Sequence, residues 1–376
     1  MMRRTTLFLC LVLAACGAAA QAAFDAISSN RNISASNYSI YPDSLTQQMT
    51  PPPAGKKPFY ISHYGRHGSR YLSNRKGYDI PYKMLCRADS IDELTPAGQD
   101  VLSELRAIIS DSEGRWGDLS GLGKQQSKGI ARRMMERFPE AFPDGAHIDA
   151  RSTNVNRCVL SMASAVQEMA NLKPTLRVTM HADQRDIFFL NYQDKQLRDS
   201  MMPIAARQAY GAFSAKREHN PRLMELLFVD PQCVKDIVDE GWLSYYILKA
   251  GLVQQNTHMN AKTGLVDIFT YEDIHRFWQR ENAWWYINYG PSPLSGGVQP
   301  YSQRFLLRKI IADADSCFKL VSPGAQLRYG HETCLLPLVC LLGVNGFDYE
   351  TDKFEDLEEN GWWCSSVFPM GSNIQF

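Results

Sequence analysis

The sequence lacks an excess of charge of either sign and, beyond its N-terminus, any long uninterrupted apolar run. Forty Lys and Arg residues balance forty Asp and Glu residues in the 376-residue chain, so no overall charge would draw it to nucleic acid or to an anionic membrane. The apolar run at residues 335–344 is too short to span a bilayer and contains Pro337. We therefore expect no nucleic-acid partner and no integral membrane span, and any affinity for anions must be local.

The sequence also lacks the cysteine spacings that hold metals. Its nine cysteines form no CxxC pair and no Cys/His pattern typical of zinc sites. Seven of them lie beyond the first 22 residues, and an odd number leaves at least one thiol unpaired within a monomer. With 44% hydrophobic residues, the chain is long and apolar enough to bury a sizeable core.

The first 22 residues have the pattern of an export signal, with two arginines near the start, an apolar stretch at residues 7–15 and small residues after it. Two cleavage sites compete. LAAC at residues 13–16 resembles a bacterial lipobox, which would leave a lipid anchor on Cys16, whereas AQA at residues 20–22 suits an ordinary signal peptidase. We expect an exported protein, located in the bacterial periplasm or anchored to the outer membrane, and we favour the lipobox.

Composition divides the rest of the chain into an arm, a core and an insertion. Residues 23–57, rich in Ser, Asn and Pro, are predicted to form an extended arm. Strand and helix patterns alternate in residues 58–182 and 293–376, which predicts a layered α/β core. Residues 183–292 contain aromatic, charged, helix-like segments, so we interpret them as an inserted, mostly α-helical cap. The acidic run at residues 348–359 is predicted to be a solvated loop.

The segment ISHYGRHGSRYL, which begins at residue 61, runs from the end of a predicted buried strand at residues 59–64 into a loop. It places Arg66, His67 and Arg70 among glycines, with no acidic residue nearby. Guanidinium groups bind phosphate oxygens through planar, bidentate hydrogen bonds, and a neutral imidazole between them can attack phosphorus. The segment therefore predicts a site for a phosphate or carboxylate group, although a solvated basic turn would have a similar composition.

A metal site is a weaker interpretation of the same segment. His63 and His67 have the i, i+4 spacing of zinc ligands on a helix, but Gly65 and Gly68 oppose a helix there and no Glu follows His63. The histidines without any such context, which we expect to be structural or exposed, are His147, His181, His219, His258 and His275.

Several segments, in order, resemble signatures of the histidine acid phosphatases, specifically the branch that contains multiple inositol polyphosphate phosphatases and histidine-type phytases. They are RHGSR at residues 66–70, ARSTNVNRCVLSMASAV at residues 150–166 and RYGHETCLLPLVCLLG at residues 328–343. DLSGLGKQQSKGIARRMMERFP at residues 118–139 resembles that family's Gly-Gln-containing helix start. The resemblance covers most of residues 58–376 and implies an α/β core with a helical cap.

The resemblance also implies a role for each residue that matches a motif. His67 would be the nucleophile that forms a phosphohistidine. Glu332 would protonate the leaving-group oxygen and then activate water, as a general acid that becomes a base. The residues implied to hold the transferred phosphoryl group are Arg66, Arg70, Arg151 and His331. Neither a metal nor another cofactor is implied.

The sequence departs from the family pattern at its catalytic acid. The late motif commonly reads His-Asp or His-Ala-Glu, whereas Glu332 stands here at the Asp position and Thr333 where the other enzymes carry Glu. Arg157, in the same motif as Arg151, is expected to be a structural partner. The strand-like residues 372–376 end the chain where the family usually continues with further sheet, so we expect a fragment or an early stop.

A further departure concerns the substrate. Leu72, Ser73 and Asn74 replace the Pro and Thr-Lys that often follow RHGxR in phytases. Ser73 could still donate to a distal phosphate, and Arg75 or Lys76 could replace the Lys charge. Phosphatase chemistry is therefore more strongly indicated than specificity for phytate.

Two functional hypotheses follow. The first is an exported histidine acid phosphatase that hydrolyses phosphomonoesters through a phosphohistidine, with inositol polyphosphates such as phytate, and also 2,3-bisphosphoglycerate, as substrates. The second is a non-catalytic module that binds phosphorylated ligands. A binding module has no need of an acid beside His331, so Glu332 favours the enzyme.

Overall fold

The computed structural model describes residues 22–42, 53–192, 197, 203–319 and 324–376. Nearly all of the predicted export signal, including Cys16, lies outside the described residues and stays a prediction. Within the described residues, no helix is both long enough and apolar enough to cross a membrane.

The described residues form one sheet and many helices. The strands are β1 (Ile61–Arg66), β2 (His147–Ser152), β3 (Arg177–His181), β4 (Ala325–Gly330) and β5 (Asn373–Gln375). The α-helices are α1 (residues 22–29), α2 (Lys76–Asp89), α3 (Pro96–Ser112), α4 (Gly121–Arg137), α5 (Asn156–Leu172), α6 (Ile187–Leu190), α7 (Ile204–Ala215), α8 (Pro221–Leu227), α9 (Pro231–Val234), α10 (Glu240–Val253), α11 (Tyr271–Tyr289), α12 (Arg304–Cys317), α13 (Glu332–Leu341), α14 (Glu355–Glu359) and α15 (Cys364–Val367). Short 3-10 helices lie at Arg31–Tyr38, Pro139–Ala141, Gln184–Asp186, Gln254–Asn256, His258–Lys262, Pro293–Ser295, Gln299–Gln303 and Val344–Gly346.

The sheet has the strand order β3-β2-β4-β1-β5, in which the first four strands are parallel and β5 runs antiparallel to β1. In the pairing of β1 with β4, Arg66 lies opposite Gly330. The carboxyl ends of the parallel strands therefore meet at one edge, and His67 and His331, the next residues along the chain, emerge there side by side.

Apolar clusters cover both faces of the sheet, which gives the predicted layered α/β architecture. One cluster joins the sheet to α4 and α5 through residues such as Met134, Met162 and Leu327. A second cluster lies on the other face and includes residues of α11, α12 and α13, among them Tyr286 and Leu335. In the described part of residues 183–292 the chain forms α6 to α11 and no strand of the sheet, as predicted for a helical insertion.

The predicted extended arm is wrong for its first part. Residues 22–29 are helical and Arg31–Tyr38 form a 3-10 helix. Ala23 and Ile27, one helical turn apart, are buried in the cluster that also contains Tyr38. The Asn30 side chain accepts a hydrogen bond from the Asn32 backbone, a local bond that the Ser- and Asn-rich composition allows. Residues 43–52 of the arm lie outside the described residues.

The acidic run at residues 348–359 is not a solvated loop. It contains α14 and buries Phe354, Leu357 and Glu358. Phe354 and Leu357, three residues apart, face the core from one side of the turn. This apolar spacing within the acidic sequence indicates a buried helical face, which the prediction of a loop did not take into account. The Glu358 carboxylate lies 2.6 Å from Nε2 of His275, so His275 has the structural role that was expected.

Helix α4 approaches the loop after β1 more closely than any side chain would allow. A Cβ atom added at Gly68 would lie 2.3 Å from the Gly123 carbonyl oxygen, and one added at Gly123 would lie 2.2 Å from the Ser69 carbonyl oxygen. The Ser69 backbone N–H donates to Oε1 of Gln126 at 2.8 Å. The start of α4 thus fixes the backbone that carries His67.

We predict that Gly123→Ala destabilises the protein by about 1–3 kcal/mol, because the new methyl group would force the helix and the loop apart. Gly121→Ala is the matched control, since a Cβ at Gly121 meets nothing within 4 Å and lies in the same first turn of α4. The control should stay within about 0.5 kcal/mol of the parent. Urea unfolding of the two variants measures both values, and equal effects would contradict the close-approach argument.

Candidate active site

The loop after β1 holds His67 as a buried, neutral imidazole. Its ring is fully buried, and Nδ1 lies 2.9 Å from the Gly68 carbonyl oxygen, which can only accept a hydrogen bond. Nδ1 therefore carries the proton and Nε2 carries the lone pair. Among the described residues Nε2 has no hydrogen-bond partner. Burial, assisted by the charges of Arg66 and Arg70, holds the pKa of His67 well below its usual range, so the imidazole stays neutral.

Arg66 and Arg70 flank His67, and each retains an N–H group that could donate a hydrogen bond to a ligand. The Arg66 guanidinium is anchored by a 2.6 Å hydrogen bond from Nη1 to the Phe368 carbonyl, and Arg70 Nη1 donates to the Tyr71 carbonyl at 2.9 Å. Arg66 Nη2 and Arg70 Nε are buried without a hydrogen-bond partner among the described residues. Burial lowers the pKa of Arg66 to about 10, so the group is still charged at neutral pH. Unsatisfied charged donors of this kind fit an oxyanion.

His331 and Glu332 begin α13 directly after β4. The His331 ring centroid lies 5.7 Å from that of His67, and its Nε2 lies 3.3 Å from Oγ1 of Thr153. Burial lowers the pKa of His331 to about 4, so this imidazole is also neutral near pH 7. The structure thus brings the rings of His67 and His331 together at one edge of the sheet.

The Glu332 carboxylate lies beside Arg66 and His67. Its Oε2 lies 3.0 Å from Arg66 Nε and 3.9 Å from His67 Nε2, and its Oε1 accepts a hydrogen bond from Nδ2 of Asn37 at 3.0 Å. Burial alone would raise the pKa of Glu332, but Arg66 and the other nearby positive groups outweigh burial and hold it well below its usual range. A phosphate dianion bound beside this carboxylate would favour its protonated form, which a general acid requires.

The structure corrects the assignment of Arg151 as a phosphate-binding group. Its guanidinium donates to Oδ2 of Asp186 at 2.7 Å and to Oδ2 of Asp149 at 3.1 Å. Arg151 and Asp149 point to the same face of β2, because side chains alternate along a strand and these two are two residues apart. The charge of Arg151 is therefore already compensated away from His67.

Arg157, which we expected to be a structural partner, supplies the third guanidinium instead. Its positive charge contributes to the lowered pKa of both His67 and Arg66, and its own pKa is lowered by burial and by Arg70. Its Nε is buried without a partner among the described residues. The signal was its position at the start of α5, which lies at the carboxyl edge of the sheet, whereas Arg151 still belongs to β2.

A cavity of about 640 Å³ opens above these residues, and Arg70, Ser73 and Glu332 line it. Ser73 lines this cavity, and its predicted hydrogen bond to a distal phosphate stays a prediction. The sequence reasoning missed other lining residues: Asn37 and Tyr38 from the N-terminal arm, and Lys249 and Arg280 from the helical insertion. No motif marked them, because only tertiary packing brings these segments over the sheet edge.

The two described cations of the insertion that line the cavity, Lys249 and Arg280, are paired with carboxylates. Lys249 Nζ donates to the Tyr245 hydroxyl at 2.8 Å and lies 3.5 Å from Oε1 of Glu281. Burial would lower the pKa of Lys249, but Glu281 outweighs it and raises this pKa, so the amine is charged. Arg280 Nη2 donates to Oε1 of Glu218 at 2.9 Å.

The ligand-type atoms of His67, His331 and Glu332 lie within 4.8 Å of one another, a spacing that could in principle hold a metal ion. The charges of the residues around these three side chains oppose the binding of a metal ion. Arg66, Arg70 and Arg157 place three positive groups beside a single carboxylate, and this field repels a cation and attracts an anion. The charge around His67, His331 and Glu332 therefore favours binding of an oxyanion and disfavours binding of a metal cation.

We predict that Arg157→Gln weakens the binding of inorganic phosphate by about 10- to 100-fold, because a buried charged donor set is lost. Arg151→Gln is the matched control and should change the affinity less than about threefold, since Asp149 and Asp186 already neutralise this side chain. Isothermal titration calorimetry measures both. Weaker binding by the Arg151 variant alone would restore the original assignment.

We predict that the free energy of unfolding falls as the pH is lowered from 7 to 5. The folded-state pKa values of His63, His67 and His331 are depressed, to about 3 for His63 by burial and the charge of Arg328. The unfolded chain takes up protons below about pH 6.5 while the folded chain does not, so each histidine removes about 2 kcal/mol of stability over this range.

His63→Leu isolates one of these contributions without touching the cluster around His67. In urea unfolding, the variant should lose about 2 kcal/mol less than the parent between pH 7 and pH 5. An unchanged pH dependence would show that His63 is protonated in the folded protein.

No protein-family model matches this sequence, and no curated protein matches it significantly. Solved structures match its fold. A Bifidobacterium longum multiple inositol polyphosphate phosphatase in complex with inositol hexasulfate has a TM-score of 0.74 at 18% identity, over 91% of this chain and 87% of that chain. Its phosphate complex has a TM-score of 0.72 at 17% identity, over 89% and 84%. The phytase from D. castellii has a TM-score of 0.64 at 12% identity, over 92% and 75%. These likenesses confirm the predicted histidine acid phosphatase fold.

Proposed function

We propose that this protein is a phosphomonoesterase that hydrolyses its substrate through a phosphohistidine intermediate. One observation carries the proposal: a buried, neutral imidazole with an unpartnered Nε2 lies among three guanidinium groups, and a carboxylate oxygen is 3.9 Å from that nitrogen. This arrangement supplies a nucleophile, an oxyanion cradle and a proton carrier in one place.

In the first step, Arg66, Arg70 and Arg157 bind the phosphoryl oxygens and His67 Nε2 attacks phosphorus. The new N–P bond forms as the ester P–O bond breaks, and the arginines neutralise the charge on the equatorial oxygens. Glu332, protonated beside the bound dianion, gives its proton to the leaving oxygen, which departs as an alcohol.

In the second step, the Glu332 carboxylate accepts a proton from water as the water oxygen attacks the phosphohistidine. The N–P bond breaks, inorganic phosphate forms, and His67 returns to its neutral state with the proton still on Nδ1. The hydrogen bond from Asn37 to Oε1 leaves Oε2 as the oxygen nearest His67 Nε2, which suits the same carboxylate for both steps.

The names of the structural neighbours support phosphorylated inositols as the substrate class, because one is a multiple inositol polyphosphate phosphatase and another is a phytase. The cavity of about 640 Å³ has the size of a small-molecule site, so a phosphorylated ring or 2,3-bisphosphoglycerate would fit. Export, and a lipid anchor on Cys16, remain proposals that rest on residues 1–22.

The alternative, a non-catalytic module that binds phosphorylated ligands, explains the site less well. Three arginines alone would hold an anion. Glu332 instead places a negative charge 3.9 Å from His67 Nε2, where it weakens anion binding. A carboxylate that transfers a proton during the reaction accounts for this position, whereas a binding role does not.

We predict that His67→Ala abolishes phosphate release, because no other described side chain presents a free nucleophile in the cradle. Glu332→Gln should slow hydrolysis of inositol phosphates by about 10²- to 10⁴-fold through loss of the general acid. With 4-nitrophenyl phosphate, whose leaving group needs little protonation, the Glu332 variant should instead give a burst of nitrophenol and accumulate phosphohistidine. Rapid-quench assays and mass spectrometry of the trapped protein check both results.

Circular dichroism provides the control that both variants are folded. Sustained turnover by folded His67→Ala protein would contradict the mechanism. Binding of inositol phosphates by the parent protein without phosphate release at any pH would favour the binding module.

A further inference from the structure

Outside the cradle formed by Arg66, Arg70 and Arg157, three cations near the pocket are each paired with a carboxylate. In the cavity wall, Lys249 is paired with Glu281 and Arg280 with Glu218. Next to Ser73, Arg75 is paired with Asp79 at 2.9 Å and also with Glu113. A distal phosphate would have to compete with these carboxylates for each of the three cations.

Positive charge is distributed unevenly among the described residues of the pocket. In the cradle, three guanidinium groups face Glu332 alone, so this part of the pocket has an excess of positive charge. The wall beyond the cradle adds Lys249 and Arg280 but also Glu218 and Glu281, so its net charge is zero. The pocket is therefore neutral where the leaving group would lie.

The same wall is rich in aromatic side chains, which form eight of the nineteen described lining residues. Trp242 and Tyr246 stack with ring centroids 5.5 Å apart and an interplanar angle of 22°, and Trp242 is 50% exposed. Trp284, also partly exposed, meets Trp285 edge to face at 5.0 Å. Indole and phenol faces bind the apolar face of a ring.

A densely phosphorylated ring fits this wall poorly. With one phosphate in the cradle, its other phosphates would face a surface without excess positive charge and would lose hydration without gaining ion pairs. A ring with hydroxyl groups in those positions could place its face on the aromatic side chains and would leave the Lys249–Glu281 and Arg280–Glu218 ion pairs intact.

We propose that this pocket selects phosphate monoesters of ring alcohols that carry few further phosphates. Lower inositol phosphates and hexose phosphates share this chemistry, and both would be better substrates than inositol hexakisphosphate. The inference rests on the proposed phosphomonoesterase activity and narrows its substrate class. A reaction that removes phosphates from more highly phosphorylated rings would supply such a substrate.

The test compares kcat/KM of the parent protein for inositol hexakisphosphate, an inositol trisphosphate, an inositol monophosphate and glucose 6-phosphate at low ionic strength. We expect kcat/KM for each of the lower esters to exceed that for the hexakisphosphate by about tenfold or more, since one mismatched charge contact has roughly this effect. The relative values for the inositol and hexose esters identify the preferred ring. Equal or higher kcat/KM for the hexakisphosphate would overturn the inference.

Failure of the proposed function has a different signature, namely no phosphate release from any of the four esters. The affinities of the esters, measured by calorimetry, would then test the charge argument separately. The lower esters must still bind more tightly than the hexakisphosphate for the inference to stand.

A charge change in the wall tests the cause of the preference. Glu218→Gln leaves Arg280 without its carboxylate, so kcat/KM for the hexakisphosphate should rise about tenfold while that for the monophosphate changes less than about threefold. Glu225→Gln is the matched control, an exposed glutamate that does not line this cavity, and should alter neither value. Glu281→Gln provides a second variant if the first does not fold. A folded variant with an unchanged preference would overturn the inference.

Discussion

The parallel pairing of β1 with β4 is the constraint on which the candidate active site depends. It sets Arg66 opposite Gly330, so the two chain segments that leave these strands meet at one edge of the sheet. His67 follows one strand and Glu332 begins the helix after the other, and backbone geometry alone brings their side chains within reach. The glycine contact between α4 and the first of these segments then limits how far His67 can move. The fold therefore positions the chemistry before any ligand binds.

Burial then determines which charges the site contains. Desolvation keeps the imidazoles of His67 and His331 neutral, whereas Arg66 remains charged despite its burial. Glu332 is ionised because neighbouring cations outweigh the cost of its burial. The result is a site that is preorganised for a dianion and has one carboxylate to carry a proton. Beyond that site, the balanced and aromatic wall recognises the shape of the leaving group more than its charge.

Local patterns in the sequence predicted the parts of the structure that depend on local physics. The strand that leads into RHGSR and the helical character of residues 183–292 were both predicted from such patterns. Arg151 was misassigned because a motif records the order of residues but not whether a residue ends a strand or begins a helix. The arm and cap contributions, such as Tyr38 and Lys249, could not be predicted, because they depend on packing between segments far apart in the sequence.

The hydrogen bond from Asn37 to Glu332 joins residues separated by 295 positions. Tyr38, the next residue, lies against Arg70, with the guanidinium 4.9 Å from the centre of its ring. Contacts of such long range form late, since the entropy of closing the intervening loop must be overcome first. The Glu332 carboxylate therefore acquires its final orientation only when the segment that carries Asn37 docks onto the start of α13, and a partly folded chain would lack this orientation.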